Sequence, residues 1–299
     1  MMNSDGLLFS GVDWDFDKVR RAYDAIEDLA KGELGLDIYP NQIEVITAEQ
    51  MLDAYSSIGM PLMYKHWSFG KRFAQDEALY RRGMRGLAYE IVINSSPCIS
   101  YIMEENSMAM QTLVLAHAAF GHNHFFKNNE LFKQWTDARG ILDYMDFAKG
   151  YISRCEERYG HAAVERVVDA AHSLMSHGVH KYPRKRVLDL SQEERRESER
   201  RQYQETIYND LWRTVPKPVA TAVGSRELAE RKHKLNLPEE NILYFLEKNA
   251  PRLAPWQREI LRIVRLVAQY FYPQKQTKVM NEGCATAVHY HIVNRLQEL

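Results

Sequence analysis

The chain has 299 residues, 45% hydrophobic, 26% charged and 11% aromatic, with only 15 glycines and 10 prolines. That composition excludes a disordered or fibrous protein and allows one large domain or two modest ones. Lys and Arg number 39 against 40 Asp and Glu, a formal net charge of -1, so no global attraction for nucleic acid or an anionic membrane follows.

Residues 15–32 carry Phe16, Val19, Ala22, Tyr23, Ile26 and Leu29 at helical spacing, which predicts an amphipathic helix. Residues 40–46 predict a short strand, and Thr47 with Gln50 three residues on predicts a capping box for the next helix. A Gly-rich, aromatic stretch from Gly59 leads into a charged helix that ends near Gly83. Residues 87–94 (LAYEIVIN) are the clearest strand, closed by Ser95, Ser96 and Pro97. Residues 103–120, rich in Met, Leu and Ala, predict a mostly buried helix opened by Glu104 and Glu105.

Two further helices are expected over 129–160 and 162–177. Residues 191–205 are almost entirely polar and predict a solvated helix face or a mobile arm. Residues 214–234, with Pro216, Pro218 and Gly224, predict a linker or long excursion. The helical pattern resumes at Pro238, runs through Trp256 to Tyr272, and a last helix starts near Thr277. The expected class is mainly α (α+β): a helical domain with a small two- or three-stranded sheet. Residues 1–299 are expected to form a single domain, with a sub-boundary at 191–234 if there is one.

Cys98, Cys155 and Cys284 are sparse, odd in number and form no C-x-x-C, which suits a reducing compartment. The N-terminal residues lack the basic and apolar regions of a signal peptide, and no apolar run reaches a membrane span. A cytoplasmic protein is expected. Leu299 stands in an unfinished helical pattern, so the natural chain is expected to run on.

Histidine is the unusual component: 11 in total, with His117, His122 and His124 inside one stretch, AHAAFGHNHFF. A metal site needs several neutral imidazoles or carboxylates converging on one ion. His117 and His122 are five apart, and an ideal α-helix splays such positions by about 140°. They converge only if the helix bulges or stops at Gly121. His122 and His124 would converge instead if that stretch were extended. The plain alternative is a buried helix end whose histidines are satisfied by backbone.

The second cluster is VMNEGCATAVHYH, with Asn281, Glu282, Gly283 and His289. Glu282 and His289 share a helix face but start roughly 10 Å apart. Gly283 inside a helix costs about 1 kcal/mol relative to Ala, so close packing or close approach to a site is expected there. Glu105, ahead of His117, is a candidate general base or supporting carboxylate, and an ordinary first-turn acid otherwise. His66-Trp67 with Lys71 and Arg72 is a weaker basic cluster. His172 and His177 are expected to be packing or interface residues.

Several segments resemble one family: HWSFGKRF from His66, GLAYEIVINSSPCISYIMEEN from Gly86, AHAAFGHNHFFKNN from Ala116, CEERYG from Cys155 and NEGCATAVHY from Asn281. In order and over nearly the whole chain they resemble the SpoVR family, stage V sporulation protein R. Its commonest form of the last motif has Trp where Cys284 stands, and its members usually continue into a further C-terminal region. The resemblance implies a role in sporulation and stress response. It also implies partners encoded nearby: a PrkA-type serine kinase and a protein with a von Willebrand A-like domain.

The Asn281-Glu282-Gly283-x-Ala285 segment is also similar to the N-E-G-x-A segment of gluzincin metallopeptidases, which implies a gluzincin-like core with Glu282 as a ligand. The companion H-E-x-x-H is missing, since no Glu follows His117 and the histidine spacing is five. The expected function is therefore a metal-dependent hydrolase of an amide or peptide bond. A divalent metal, zinc by preference, is expected on His117, His122 and Glu282 with His124 as alternate, and Glu105 or His289 handling the proton. A peptide or cell-wall-derived amide is the expected substrate. The competing expectation is a non-catalytic helical regulator working with the kinase.

Overall fold

The computed structural model describes residues 8–57, 60, 63–84, 86–181 and 240–298, with isolated residues 195, 198, 199 and 202. The linker at 214–234 and all but those isolated positions of the polar segment at 191–205 lie outside the described residues.

Helix α1 (Phe16–Asp28) begins where the Asp15 carboxylate accepts from the Lys18 amide, and it buries Val19, Ala22 and Ile26. A π-helical turn, Leu29–Glu33, extends it. Strand β1 (Asn41–Ile46) is followed by α2 (Ala48–Ser56), which the reciprocal Thr47–Gln50 capping box opens as expected. Helix α3 (Trp67–Arg81) is capped by the His66 ring and ends before Gly83, whose φ is +64°.

Strands β2 (Glu90–Ile93) and β3 (Cys98–Met103) pair antiparallel, with Glu90 opposite Ile102. Strand β1 pairs with β3 in parallel, so the sheet order is β1-β3-β2. The central strand β3 is the one the sequence pattern conceals. CISYIM is buried at all but its last residue, and a strand covered on both faces shows no alternation to separate it from buried helix. The helix expected from Met103 therefore starts later, as α4 (Met108–Leu115), with Ser107 as its cap. Glu104 and Glu105 lie exposed in the turn between β3 and α4.

The chain continues through a π-helical segment, Ala116–His122, into α5 (Asn123–Asn128). The single helix expected over 129–160 is two, α6 (Glu130–Trp135) and α7 (Ile141–Tyr159). Between them the Asp137 carboxylate accepts from the amides of Arg139 and Gly140, a local turn that competes with helix. Helix α8 (His161–Ser173) precedes a 3₁₀ turn, Met175–His177, and α9 (Ile242–Asn249) resumes after the undescribed residues.

The last element, α10 (Pro255–Glu298), is one helix of 44 residues where two were expected. Pro273 stands inside it and forfeits one backbone hydrogen bond. Packing outweighs that loss: Tyr270 is buried and donates to the Asn94 carbonyl at 2.8 Å. At 1.5 Å per residue α10 is about 66 Å long, and it joins two hydrophobic cores. Ile260, Ile263, Val264 and Val267 enter one with Met145, Ile152 and Val168. Val288 and Ile292 enter the other with Ile26, Met108, Leu115 and Phe120. The architecture is mainly α with a small mixed sheet. No helix among the described residues is long and apolar enough to cross a membrane.

Gly283 is not the packing glycine that its place in a helix implied. A Cβ there would meet nothing within 4 Å. Gly283→Ala is therefore expected to stabilise the protein by about 1 kcal/mol, raising Tm by roughly 2–4 °C. A lowered Tm in a thermal melt would contradict this. The packing glycine is Gly121, where a Cβ would come within 2.6 Å of the Ala285 Cα.

Candidate metal centre

The π-helical segment answers the spacing problem posed by His117 and His122. Its wider turn carries i→i+5 hydrogen bonds and brings residues five apart onto one face. The two imidazoles meet edge to face with centroids 4.6 Å apart. Gly121 lets this segment lie against α10 at Ala285, so Asn281, Glu282 and His289 face the same point. From the other side, β2 delivers Glu90.

The donor atoms are close and mutually oriented. His117 Nε2 lies 3.3 Å from Glu90 Oε1 and 3.6 Å from Glu282 Oε2. His122 Nε2 lies 3.8 Å from each of the same two oxygens. Donors about 2.1 Å from one ion at tetrahedral angles stand about 3.4 Å apart, close to these separations. Glu90, His117 and His122 form a group that could hold a metal ion. Glu90 Oε2 is buried without a hydrogen-bond partner, as expected of a carboxylate built to serve something other than protein donors.

Both histidines are held from behind. Asn281 Oδ1 lies 2.9 Å from His122 Nδ1, so that nitrogen donates and Nε2 keeps its lone pair toward the centre. His117 Nδ1 contacts His289 Nδ1 at 2.8 Å. The ring of His117 thus spans the gap between Glu282 and His289, which the helix rise alone keeps apart.

Burial sets the charge states. The Glu90 carboxyl is pushed up to about 8, first by desolvation and then by the neighbouring Glu282. His117 is pushed down to about 4 by desolvation, reinforced by His122 and His289. His122 and His289 are lowered by the same desolvation. The imidazoles are therefore neutral near neutral pH, the form a metal needs.

The group opens into a pocket of about 720 Å³. Leu87, Met110, Leu113 and Phe271 supply an apolar wall, and Gln274, Lys275 and Lys278 of α10 continue the line of Glu282.

Of the residues singled out in the sequence, His117, His122, Glu282 and His289 come together. His124 does not join them: its Nδ1 lies 3.0 Å from the Asp37 carbonyl oxygen and 3.2 Å from Asn128 Nδ2. Glu105 is exposed and does not line the pocket. Glu90 was missed, although a lone carboxylate inside the apolar run AYEIVI was a visible signal. The His66 cluster is a tie between α3 and α8: His66 Nε2 and Trp67 Nε1 both lie 2.7 Å from Asp169 Oδ1, and Tyr64 Oη lies 2.6 Å from His172 Nε2.

A family model described as SpoVR like protein matches residues 13–299. A protein of Escherichia coli (strain K12) named "Uncharacterized protein YcgB" is 56% identical over 298 residues, 99% of this chain. The chain spans 58% of that relative's length. No solved structure matches, and the likeness of the N-E-G-x-A segment to gluzincins gains no support from these comparisons.

Proposed function

The chain belongs to the SpoVR family, and from that premise we propose that it is a metal-dependent hydrolase of amide bonds. The observation that carries this is the convergence of Glu90, His117 and His122 at the wall of an open pocket. Three protein ligands and a free side are the layout of a catalytic rather than a structural site. Zinc suits this small N/O set, and iron or manganese takes the same donors. A bound divalent ion supplies a Lewis acid for the amide carbonyl and lowers the pKa of water toward about 7.

The chain's own residues do the rest. Asn281 and His289 fix the rings of His122 and His117 from behind. Glu282, 54% exposed against 16% for Glu90, sits on the solvent side of the group. It accepts the proton of the attacking water and delivers it to the departing amine. Glu282, expected from the sequence to be a ligand, thus takes the proton-handling role instead of Glu105, and Glu90 takes the ligand place. The substrate is a peptide or cell-wall-derived amide, and the setting a cytoplasmic stress pathway with the PrkA-type kinase and the von Willebrand A-like protein.

Glu282→Gln separates these roles. The variant is expected to keep its metal while amide hydrolysis, followed by mass spectrometry on a peptide mixture, falls about hundredfold. Metal loss would return Glu282 to the ligand set. Unchanged hydrolysis would take the proton-handling role away from Glu282, and no hydrolysis by the metal-loaded parent would favour the non-catalytic regulator.

Metal affinity is expected to depend on pH with a defined sign. Glu90 holds a proton below about 8 and must release it to bind, whereas His117 is already neutral above about 4. Between those values each metal bound displaces about one proton, so affinity rises about tenfold per pH unit and levels off above about pH 8. Competition with a chelator of known affinity measures this, and a flat profile over that window would contradict it.

A further inference from the structure

We infer that Lys275 and Lys278 form an anion-binding end of the pocket, so that the substrate amide carries a carboxylate two to three residues beyond the bond that is cut. This rests on the amide-hydrolase reading and names its substrate class.

Both lysines line the pocket that holds Glu90, His117 and His122. They are three apart on α10, on the helix face that continues to Glu282 and His289. Both are exposed, and none of the lysine ion pairs among the described residues involves either one. Like charges at this spacing repel, costing a few tenths of a kcal/mol in an isolated helix. An anion bridging them reverses that cost. Once a divalent ion is neutralised by Glu90 and Glu282, the two ammonium groups leave the pocket net positive, which favours an anionic ligand.

The spacing selects the ligand. Lys278 and Lys275 precede Glu282 by four and seven residues, about 6 and 10 Å of helix rise. An extended peptide advances about 3.3 Å per residue, so two to three residues separate the scissile bond from the bound carboxylate. The apolar wall of Leu87, Met110, Leu113 and Phe271 faces the residues between. A carboxylate-terminated peptide with apolar side chains fits all three features.

The test uses acetyl-Ala-Leu-Leu with a free terminal carboxylate and the same peptide as its carboxamide, titrated calorimetrically into the metal-loaded chain. The carboxylate form is expected to bind about tenfold more tightly, the worth of one charge-assisted contact. In Lys275→Gln/Lys278→Gln that preference should shrink to within about twofold, with metal content, measured on the same samples, unchanged. Equal affinity for the two peptides, binding of neither, or a preference that survives the double substitution would overturn the inference. Inorganic phosphate binding more tightly than the carboxylate peptide, and losing that affinity in the double variant, would assign this end to phosphate esters and overturn it too. A chain that takes up no metal refutes the hydrolase reading itself, whereas metal uptake without carboxylate preference refutes only the lysine assignment.

Discussion

Replacing His122 with alanine is expected to lower metal affinity by about two to three orders of magnitude. A structural zinc site with four protein ligands is worth about 10–16 kcal/mol, so each ligand carries roughly a quarter of that. His122 is the most completely built-in of the three candidate ligands. It is 7% exposed, its Nδ1 is held by Asn281, and its ring stacks on Phe126. Truncation removes a donor that His124 cannot replace, because that ring is turned toward Asp37. It also leaves Asn281 without its partner, so Asn281→Ala alone is expected to cost about 10–100-fold in the same titration. The helical circular dichroism should persist, since Ala116, Ala119 and Phe120 anchor the segment in the core. An alanine variant that binds metal like the parent would place the site elsewhere.

The second large effect is on stability, and it acts at a glycine. A Cβ on Gly121 would come within 2.6 Å of the Ala285 Cα and 2.9 Å of its Cβ. Backbone cannot swing aside as a long side chain can, so Gly121→Ala must push the π-helical segment and α10 apart. Overpacking of this kind costs about 1–3 kcal/mol, and the upper end is expected because the close contact is with main chain. Tm should fall by roughly 6–10 °C. Metal affinity should fall with it, because the displaced interface is the one that sets His122 against Asn281. Gly283→Ala, two residues from Ala285, should move Tm the other way. A neutral Gly121→Ala would mean that the helices are not in contact there.

Those two glycines show what the sequence made legible and what it did not. Gly283 stands out as costly inside a helical pattern and Gly121 as a place for a helix to stop, but what a glycine serves is decided by a neighbour far along the chain. Nothing in NEGCATA says that Gly283 faces open space or that Ala285 meets Gly121. The same holds for the sheet: β1 and β2 sit near an edge or end and show in the pattern, whereas β3 is buried throughout and does not. The histidine spacing was informative in a different way. A spacing of five from His117 to His122 allows convergence only if the helix bulges or stops at Gly121, and a π-helical segment is what the chain forms. Glu90 is visible as a lone acid in an apolar strand, but a single acid carries no periodicity that says what it serves. Its significance depends on the helix packed across from it. The break expected between Tyr272 and Thr277 is absent for the converse reason: the local preference of Pro273 for ending a helix is overridden by the core residues of α10 on both sides.

Whether Glu90, His117 and His122 hold a metal ion is read most directly by elemental analysis of the chain purified without a histidine tag. About one equivalent of a divalent transition metal per chain is expected after reconstitution and dialysis, lost in His117→Ala and in Glu90→Ala. Less than about a tenth of an equivalent in the reconstituted parent, or full occupancy in both variants, would contradict it.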